Sequence, residues 1–125
     1  RIGGSNHSVG EAVDFKHEPL PATFQQGCVV AKLDELVATQ AIPLPTHIKI
    51  DVDGIEPKVI AGASAILRNS GVQSLLIETN TNLADHRSMV HALTDLGFKY
   101  DPEQVFRAMR KVGPFKGVAE HVFKR

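Results

Sequence analysis

Apolar residues follow the spacing of strands in three parts of the chain. Residues 47–52 are rich in β-branched side chains and lie between prolines and Gly54, which predicts a strand. Residues 74–80 contain the continuous run Leu75-Leu76-Ile77, which is typical of a strand covered on both faces and favours parallel pairing. Residues 118–123 alternate between apolar and polar side chains, which predicts a last strand.

Between these strands the apolar spacing becomes helical. Residues 33–40, 57–67 and 86–96 each carry one apolar face, and prolines or glycines follow each of them. Shorter apolar pieces predict further strands at residues 28–30 and 98–100. Residues 1–27 are predicted to form turns and one edge strand, because glycines and prolines interrupt them. The alternation of strands and helices predicts an α/β fold with an open sheet.

Composition narrows the functional classes. The 125 residues suit a single domain or a fragment of one, and the first residue is Arg1 rather than Met. Fourteen Lys and Arg balance fourteen Asp and Glu, so no overall charge favours nucleic acid or an anionic membrane. No apolar stretch approaches the length of a membrane span. Cys28, the single cysteine, fits a reducing compartment, and we expect a cytoplasmic protein.

The end of the predicted strand 47–52 is unusually polar. Asp51, Asp53 and Glu56 place three carboxylates where the strand turns into a helix, and Gly54 suits a turn that needs a positive φ. Ligands of open α/β sheets bind outside the carboxyl ends of the strands. Lys49 is expected to partner these acids, because a charged residue that is buried in a strand needs an opposite charge.

A second polar strand end follows at Glu78 and Asn80. Adjacent parallel strands lie about 4.8 Å apart, so both polar ends are expected to face one crevice. His86 and His91 are five residues apart and do not share a helix face. They are therefore predicted to be surface or half-buried residues rather than zinc ligands.

The residues leave two functional interpretations open, a phosphatase and a non-catalytic binding module. A strand followed by Asp-x-Asp-Gly looks like the first motif of haloacid-dehalogenase-type phosphatases, with Asp51 as nucleophile and Asp53 as acid. That family expects Thr or Val and then an apolar residue after the glycine, and its downstream metal motif is not found in this sequence. The second alternative is a non-catalytic α/β module that binds a partner through residues 107–125, which carry six Lys or Arg against one Glu.

A resemblance to another enzyme family extends over residues 30–80, which is longer than the phosphatase motif. The blocks Lys-Leu-Asp-Glu-Leu at 32–36, Ile-Lys-Ile-Asp-Val-Asp-Gly-Ile-Glu-Pro-Lys-Val-Ile-Ala-Gly-Ala at 48–63 and Leu-Leu-Ile-Glu at 75–78 resemble the carboxy-terminal half of the FkbM family of S-adenosylmethionine-dependent methyltransferases. The chain departs from the family pattern at Lys32, where Thr is usual, and at Asp53, where Glu is commoner.

This resemblance implies a fold. The chain would hold part of a Rossmann-like methyltransferase sheet, mostly parallel with an antiparallel final strand and with helices on both faces. The strand that ends at Asp51 would be the fourth of seven, and the strand that ends at Glu78 the fifth. The glycine-rich turn that binds the cofactor in this fold is not found in the sequence. The cofactor-binding half is therefore expected to lie before Arg1.

The resemblance also implies a reaction, which is transfer of a methyl group from S-adenosylmethionine to a hydroxyl of a sugar or small metabolite. Asp51 would be the base or would orient the acceptor, while Asp53 and Glu56 shape the site and Lys49 sets its electrostatics. The remaining residues expected to bind substrate or cofactor are Gly54, Glu78 and Asn80. If the enzyme uses Mg²⁺, its ligands would be Asp51, Glu78 and Asn80.

Overall fold

A mixed three-stranded sheet forms the centre of the computed structural model, which describes residues 10, 12–14, 16, 18–19, 21 and 24–125. Its strands are β1 (His47–Ile50), β2 (Ser74–Asn80) and β3 (Val118–Lys124), in that spatial order. β1 and β2 are parallel, and β3 is antiparallel to β2. The predicted α/β class, the parallel pair and the antiparallel final strand are therefore confirmed.

Four α-helices accompany the sheet in the described part of the chain. They are α1 (Leu33–Ala38), α2 (Glu56–Ala61), α3 (Ala84–Asp95) and α4 (Pro102–Ala108), with a short 3₁₀ helix at Ile66–Arg68. Residues from α2, α3 and the 3₁₀ helix form one buried core with β2 and β3. The chain passes from β1 to β2 through α2 and the 3₁₀ helix. Parallel neighbouring strands need such a crossover connection.

The pairing of the strands shows which side chains share the buried face of the sheet. Ile50 lies beside Ile77 and Leu75 lies beside Phe123, so these side chains share one face, and all four are buried. α2 and α3 pack on that face, because their apolar side chains belong to the same core. On the opposite face Lys49 is exposed and Glu78 is partly exposed. Coverage of that second face by a helix stays a prediction.

The helix predicted at residues 57–67 is interrupted, and Asp34 explains why. α2 ends at Ala61, and the chain turns before the 3₁₀ helix begins. The Asp34 carboxylate accepts hydrogen bonds from the main-chain N–H groups of Ala65 and Ile66, both at 2.9 Å. The Asp34 N–H donates to the Gly62 carbonyl at 3.0 Å. These bonds from a distant segment satisfy main-chain groups that a continuous helix would pair internally.

The structure also differs from the predictions for several other elements. The predicted strand at residues 28–30 is wrong, since no strand forms there and Val29 is fully exposed. The strand predicted at 98–100 is a single bridge between Lys99 and Lys124. β1 ends two residues earlier than predicted, and α4 was not predicted at all. Within residues 1–27, a bridge between Val13 and Pro19 is described, and most of the predicted turns lie outside the described residues.

The basic end of the chain is partly structural. The Arg125 guanidinium lies 4.2 Å from the centre of the Phe98 ring. It also donates hydrogen bonds to four main-chain carbonyl groups, which are those of Leu67, Asn69, Val72 and Leu96. Carbonyl groups at helix ends lack partners within the helix, and a guanidinium has enough donors to serve several of them. These contacts hold Arg125 against the end of the core.

Replacing Asp34 by Ala should lower the free energy of unfolding by about 1–3 kcal/mol, because it leaves two main-chain N–H groups without their acceptor. Urea denaturation of the purified chain measures this change. Glu35→Ala is the matched control, since Glu35 is exposed and makes only a surface ion pair with Lys32. Equal losses in the two variants would contradict the assigned role of Asp34.

Candidate functional site

The two polar strand ends meet at one edge of the sheet, as predicted. Parallel pairing of Ile50 with Ile77 brings the residues that follow β1 next to the end of β2. Burial raises the pKa of the Glu78 carboxyl above its ordinary value. The Arg110 guanidinium opposes this rise, while the negative charges of Asp51, Glu56 and Asp53 add to it. The acids therefore lie close enough to interact electrostatically.

The turn after β1 takes its shape from left-handed backbone and an inward-pointing carboxylate. Asp53 has φ 54° and Gly54 has φ 109°. Glu56 is only 1 % exposed, and its carboxylate accepts hydrogen bonds from the N–H groups of Val52 at 3.1 Å and Gly54 at 3.0 Å. Ile55, which precedes α2, makes no side-chain cap. Glu56 thus holds the turn from inside.

His86 connects that turn to the end of β2. It is 2 % exposed, and its Nδ1 accepts a hydrogen bond from the Asn80 N–H at 3.2 Å. The ring proton of a neutral His86 therefore lies on Nε2. Nε2 is 3.4 Å from the Gly54 carbonyl oxygen and 3.6 Å from Glu56 Oε2. A single imidazole thus contacts main-chain groups from both strand ends.

The prediction that His86 is a surface or half-buried residue is wrong. His86 lies on the buried face of α3 together with Met89, Val90 and Leu93. This spacing of three, four and seven residues was a signal in the sequence that could have identified it. The prediction for His91 is consistent with the structure, where His91 is exposed.

A small polar cavity lies among these groups. Its volume is about 10 Å³, which is close to the minimum needed to hold one water molecule. Its lining comes from both strand ends, from α3 and from the start of β3, and consists of Gly54, Glu56, Glu78, Thr79, Asn80, His86 and Val118. Gly54, Glu56, Glu78 and Asn80, four of the residues assigned to the site from the sequence, therefore line one small space.

Asp51 and Lys49 lie outside this cavity and form a surface ion pair. Lys49 Nζ is 3.3 Å from Asp51 Oδ2, and the two side chains are 62 % and 47 % exposed. The expected pairing of Lys49 with a strand-end acid is confirmed. The expectation that Lys49 is buried is wrong, because Lys49 lies on the more open face of the sheet. Solvent screens such a pair, and Asp51 is accessible from outside.

Arg110 belongs to the site and was not predicted to do so. Its guanidinium lies 3.0 Å from Glu78 Oε1, and its carbon centre lies 5.1 Å from the centre of the Phe115 ring. The Arg110 N–H donates to the Val118 carbonyl, which fixes the segment beside the start of β3. Sequence analysis grouped Arg110 with the basic end. Only the contact with Glu78, 32 positions earlier in the chain, distinguishes it from its neighbours.

Behind the site, β2 and β3 share a second buried histidine. His121 is 2 % exposed, and its Nδ1 lies 2.7 Å from the hydroxyl of Thr79. The Thr79 hydroxyl in turn donates to the Ala119 carbonyl at 3.2 Å. Burial lowers the pKa of His121, and its hydrogen bond to the Ala119 main chain opposes this effect. Burial therefore favours the neutral form of His121.

An open groove lies on the helical side of the core. It has a volume of about 690 Å³ and runs between α2, the 3₁₀ helix and α3. Its floor includes Ile60, Leu67 and Met89, while Asp85 and Asp95 lie at its margin. The groove contains none of the predicted site residues.

Metal binding and membrane insertion were searched among the described residues. No group of three or more His, Cys, Asp or Glu in that part of the chain is arranged to hold a metal ion. Asn80 is not one of these residue types, so the Mg²⁺ set of Asp51, Glu78 and Asn80 stays a prediction. No described helix is long and apolar enough to cross a membrane.

Comparisons with known proteins found no relative. No family model matches the chain, and neither a curated protein nor a solved structure matches it. The function must therefore be argued from the geometry of the site and from the motif resemblance.

Replacing Glu56 by Ala should lower the free energy of unfolding by about 2–5 kcal/mol, because buried N–H groups lose their acceptor and His86 loses its neighbour. Glu56→Gln keeps one oxygen and should lose less. Thermal and urea denaturation measure both changes. Glu103→Ala, in the first turn of α4, is the control and should change stability by less than about 0.5 kcal/mol. A Glu56→Ala variant as stable as this control would rule out the assigned role.

His121 should make the folded state less stable in acid. The unfolded chain takes up the proton near pH 6.5, whereas folded His121 takes it up only at lower pH. As pH falls below 6.5, the unfolded state therefore binds more protons and the free energy of unfolding decreases. Urea denaturation at several pH values should show a smaller decrease for His121→Asn than for the unchanged protein. His91→Asn, at an exposed position, should keep the original pH dependence, and matching curves for all three proteins would contradict this prediction.

Proposed function

We propose that this chain is the acceptor-side part of an S-adenosylmethionine-dependent O-methyltransferase similar to the FkbM family. The observation that carries the proposal is the parallel pairing of β1 with β2, which gathers Asp51, Asp53, Glu78 and Asn80 at one edge of the sheet. Ligands of open α/β sheets bind at this edge. The antiparallel β3 beside β2 agrees with the final strand that the resemblance implies.

Contacts between the motif blocks support the proposal further. Asp34, from the first block, bonds main-chain groups that directly follow the second block. Glu56 closes the turn within the second block, and His86 joins that turn to the strand of the third. The residues that carry the resemblance are therefore linked in space, and they define the shape of one strand-end site.

The charges at this edge suit a neutral acceptor. Lys49 pairs with Asp51 and Arg110 contacts Glu78, and Asp53 and Glu56 are further acids near the same strand ends. An anionic acceptor would be repelled there. A sugar or polyol hydroxyl would instead find several hydrogen-bond acceptors, including the exposed carboxylate of Asp51. Asp51 then accepts the hydroxyl proton or orients the hydroxyl, while Glu56 keeps the turn in place.

The proposal assigns these acids a part in binding the methyl donor. S-adenosylmethionine supplies an activated methyl group on sulfur, together with an ammonium group and ribose hydroxyls. Asp51 is exposed and Asp53 is partly exposed, and their carboxylates are oxygen acceptors of the kind that such donors need. Gly54, between them and Glu56, lets the main chain turn without a side chain in the way.

Methyl transfer from labelled S-adenosylmethionine to a panel of neutral sugars and polyols tests the proposal. The protein is expressed from its complete reading frame. Asp51→Asn should lower the rate at least about 100-fold, because general-base or orienting groups contribute effects of this size. Asp95→Asn is the control, since Asp95 is exposed at the end of α3.

Two outcomes would overturn the proposal. One is methyl transfer that is equal in Asp51→Asn and in the control. The other is Mg²⁺-dependent hydrolysis of a generic phosphate ester that Asp51→Asn abolishes, which would favour the phosphatase interpretation.

A further inference from the structure

Asn80 lines the small cavity and carries a side-chain amide donor. Asn80 is 8 % exposed, and its Oδ1 accepts a hydrogen bond from the Asn82 N–H at 3.2 Å. This bond fixes the orientation of the amide, so Nδ2 points away from Asn82. No described residue accepts a hydrogen bond from Nδ2. Every fully buried side-chain polar atom in the described residues has a partner, so Nδ2 must remain accessible.

Glu78 presents an acceptor to the same cavity. Its Oε1 is paired with Arg110, while no described residue donates to Oε2. The side chain is 19 % exposed, and both Glu78 and Asn80 line the cavity of about 10 Å³. The pair therefore offers one donor group and one carboxylate oxygen around a space close to the size of a single oxygen atom.

An amide donor beside a carboxylate oxygen favours one kind of ligand over others. A cation bound beside Glu78 Oε2 would face the N–H groups of Asn80, which carry partial positive charge and cannot act as ligands. An anion would meet the Glu78 carboxylate. A hydroxyl group satisfies both, since it donates to the carboxylate and accepts from the amide.

We infer that Glu78 and Asn80 form a subsite for one hydroxyl group of a neutral alcohol or sugar. The inference rests on the proposed function, because the hydroxyl it holds belongs to the methyl acceptor. The pair fixes the orientation of the acceptor, while Asp51 lies on the exposed side of the same edge. Arg110 takes part indirectly, because its contact with Oε1 leaves Oε2 for the ligand.

NMR titration of the protein, expressed from its complete reading frame, with methyl α-glucopyranoside, a neutral sugar, tests the subsite. The Asn80 side-chain amide signals should shift in a saturable way. Asn80→Asp keeps the acceptor for the Asn82 N–H and removes the donor, so sugar binding, followed through the main-chain signals of residues 78–80, should weaken about tenfold. Glu78→Gln should weaken it similarly. Glu120→Gln is the control, because Glu120 lies opposite Glu78 in the sheet but is exposed.

Ammonium chloride and sodium acetate serve as charged probes on the unchanged protein. Both should leave the Asn80 amide signals unshifted at concentrations where the sugar moves them. A shift with ammonium or acetate alone, or no shift with the sugar, overturns the inference even if a variant fails to fold. Equal sugar affinity in Asn80→Asp and Glu120→Gln also overturns it.

The methyl-transfer assay separates this inference from the proposed function. Sugar binding at Asn80 without methyl transfer would retain the subsite and reject the methyltransferase. Methyl transfer whose KM for the acceptor is unchanged in Asn80→Asp and Glu78→Gln would retain the methyltransferase and reject the subsite.

Discussion

The structure of the site depends on one buried carboxylate. Glu56 accepts hydrogen bonds from the N–H groups of Val52 and Gly54 and lies beside His86, so a single side chain fixes the turn that follows β1. A buried carboxylate is stable only where donors surround it. Because these donors are main-chain groups, the turn and the carboxylate stabilise each other. The position of Asp51 and Asp53 at the strand end follows from this arrangement.

Two arginines give the basic end of the chain a structural role. Arg110 contacts Glu78 at the strand-end site, whereas Arg125 bonds carbonyl groups at the end of the core. Between them, β3 runs along β2 and supplies Val118 to the cavity lining. The charges that looked like a binding surface for a separate partner are therefore partly used within the fold. This weakens the interpretation of the chain as a module that binds through its basic end.

Local patterns predicted the sheet well, because alternation and β-branched runs report directly on β1, β2 and β3. What they missed depends on contacts between distant residues. The break after α2 requires Asp34, which is 31 positions from Ala65. The segment around Val29 has the composition of a strand but pairs with no strand in the described part of the chain, and Val29 is fully exposed. For the site, the sequence indicated the acids at both strand ends, and its helical spacing also held a signal for the burial of His86. The contact of Arg110 with Glu78 is visible only in the packed structure.

β1 lies at the edge of the described sheet, and this position gives Lys49 a second consequence. The outer side of an edge strand can template pairing with another protein molecule, which is how many sheets begin to aggregate. A lysine side chain that is 62 % exposed in the middle of a four-residue strand opposes such pairing by charge and hydration. The residue that pairs with Asp51 therefore also discourages pairing of this edge with another molecule wherever the preceding half of the proposed sheet leaves it uncovered, and these two demands limit which side chains can replace it.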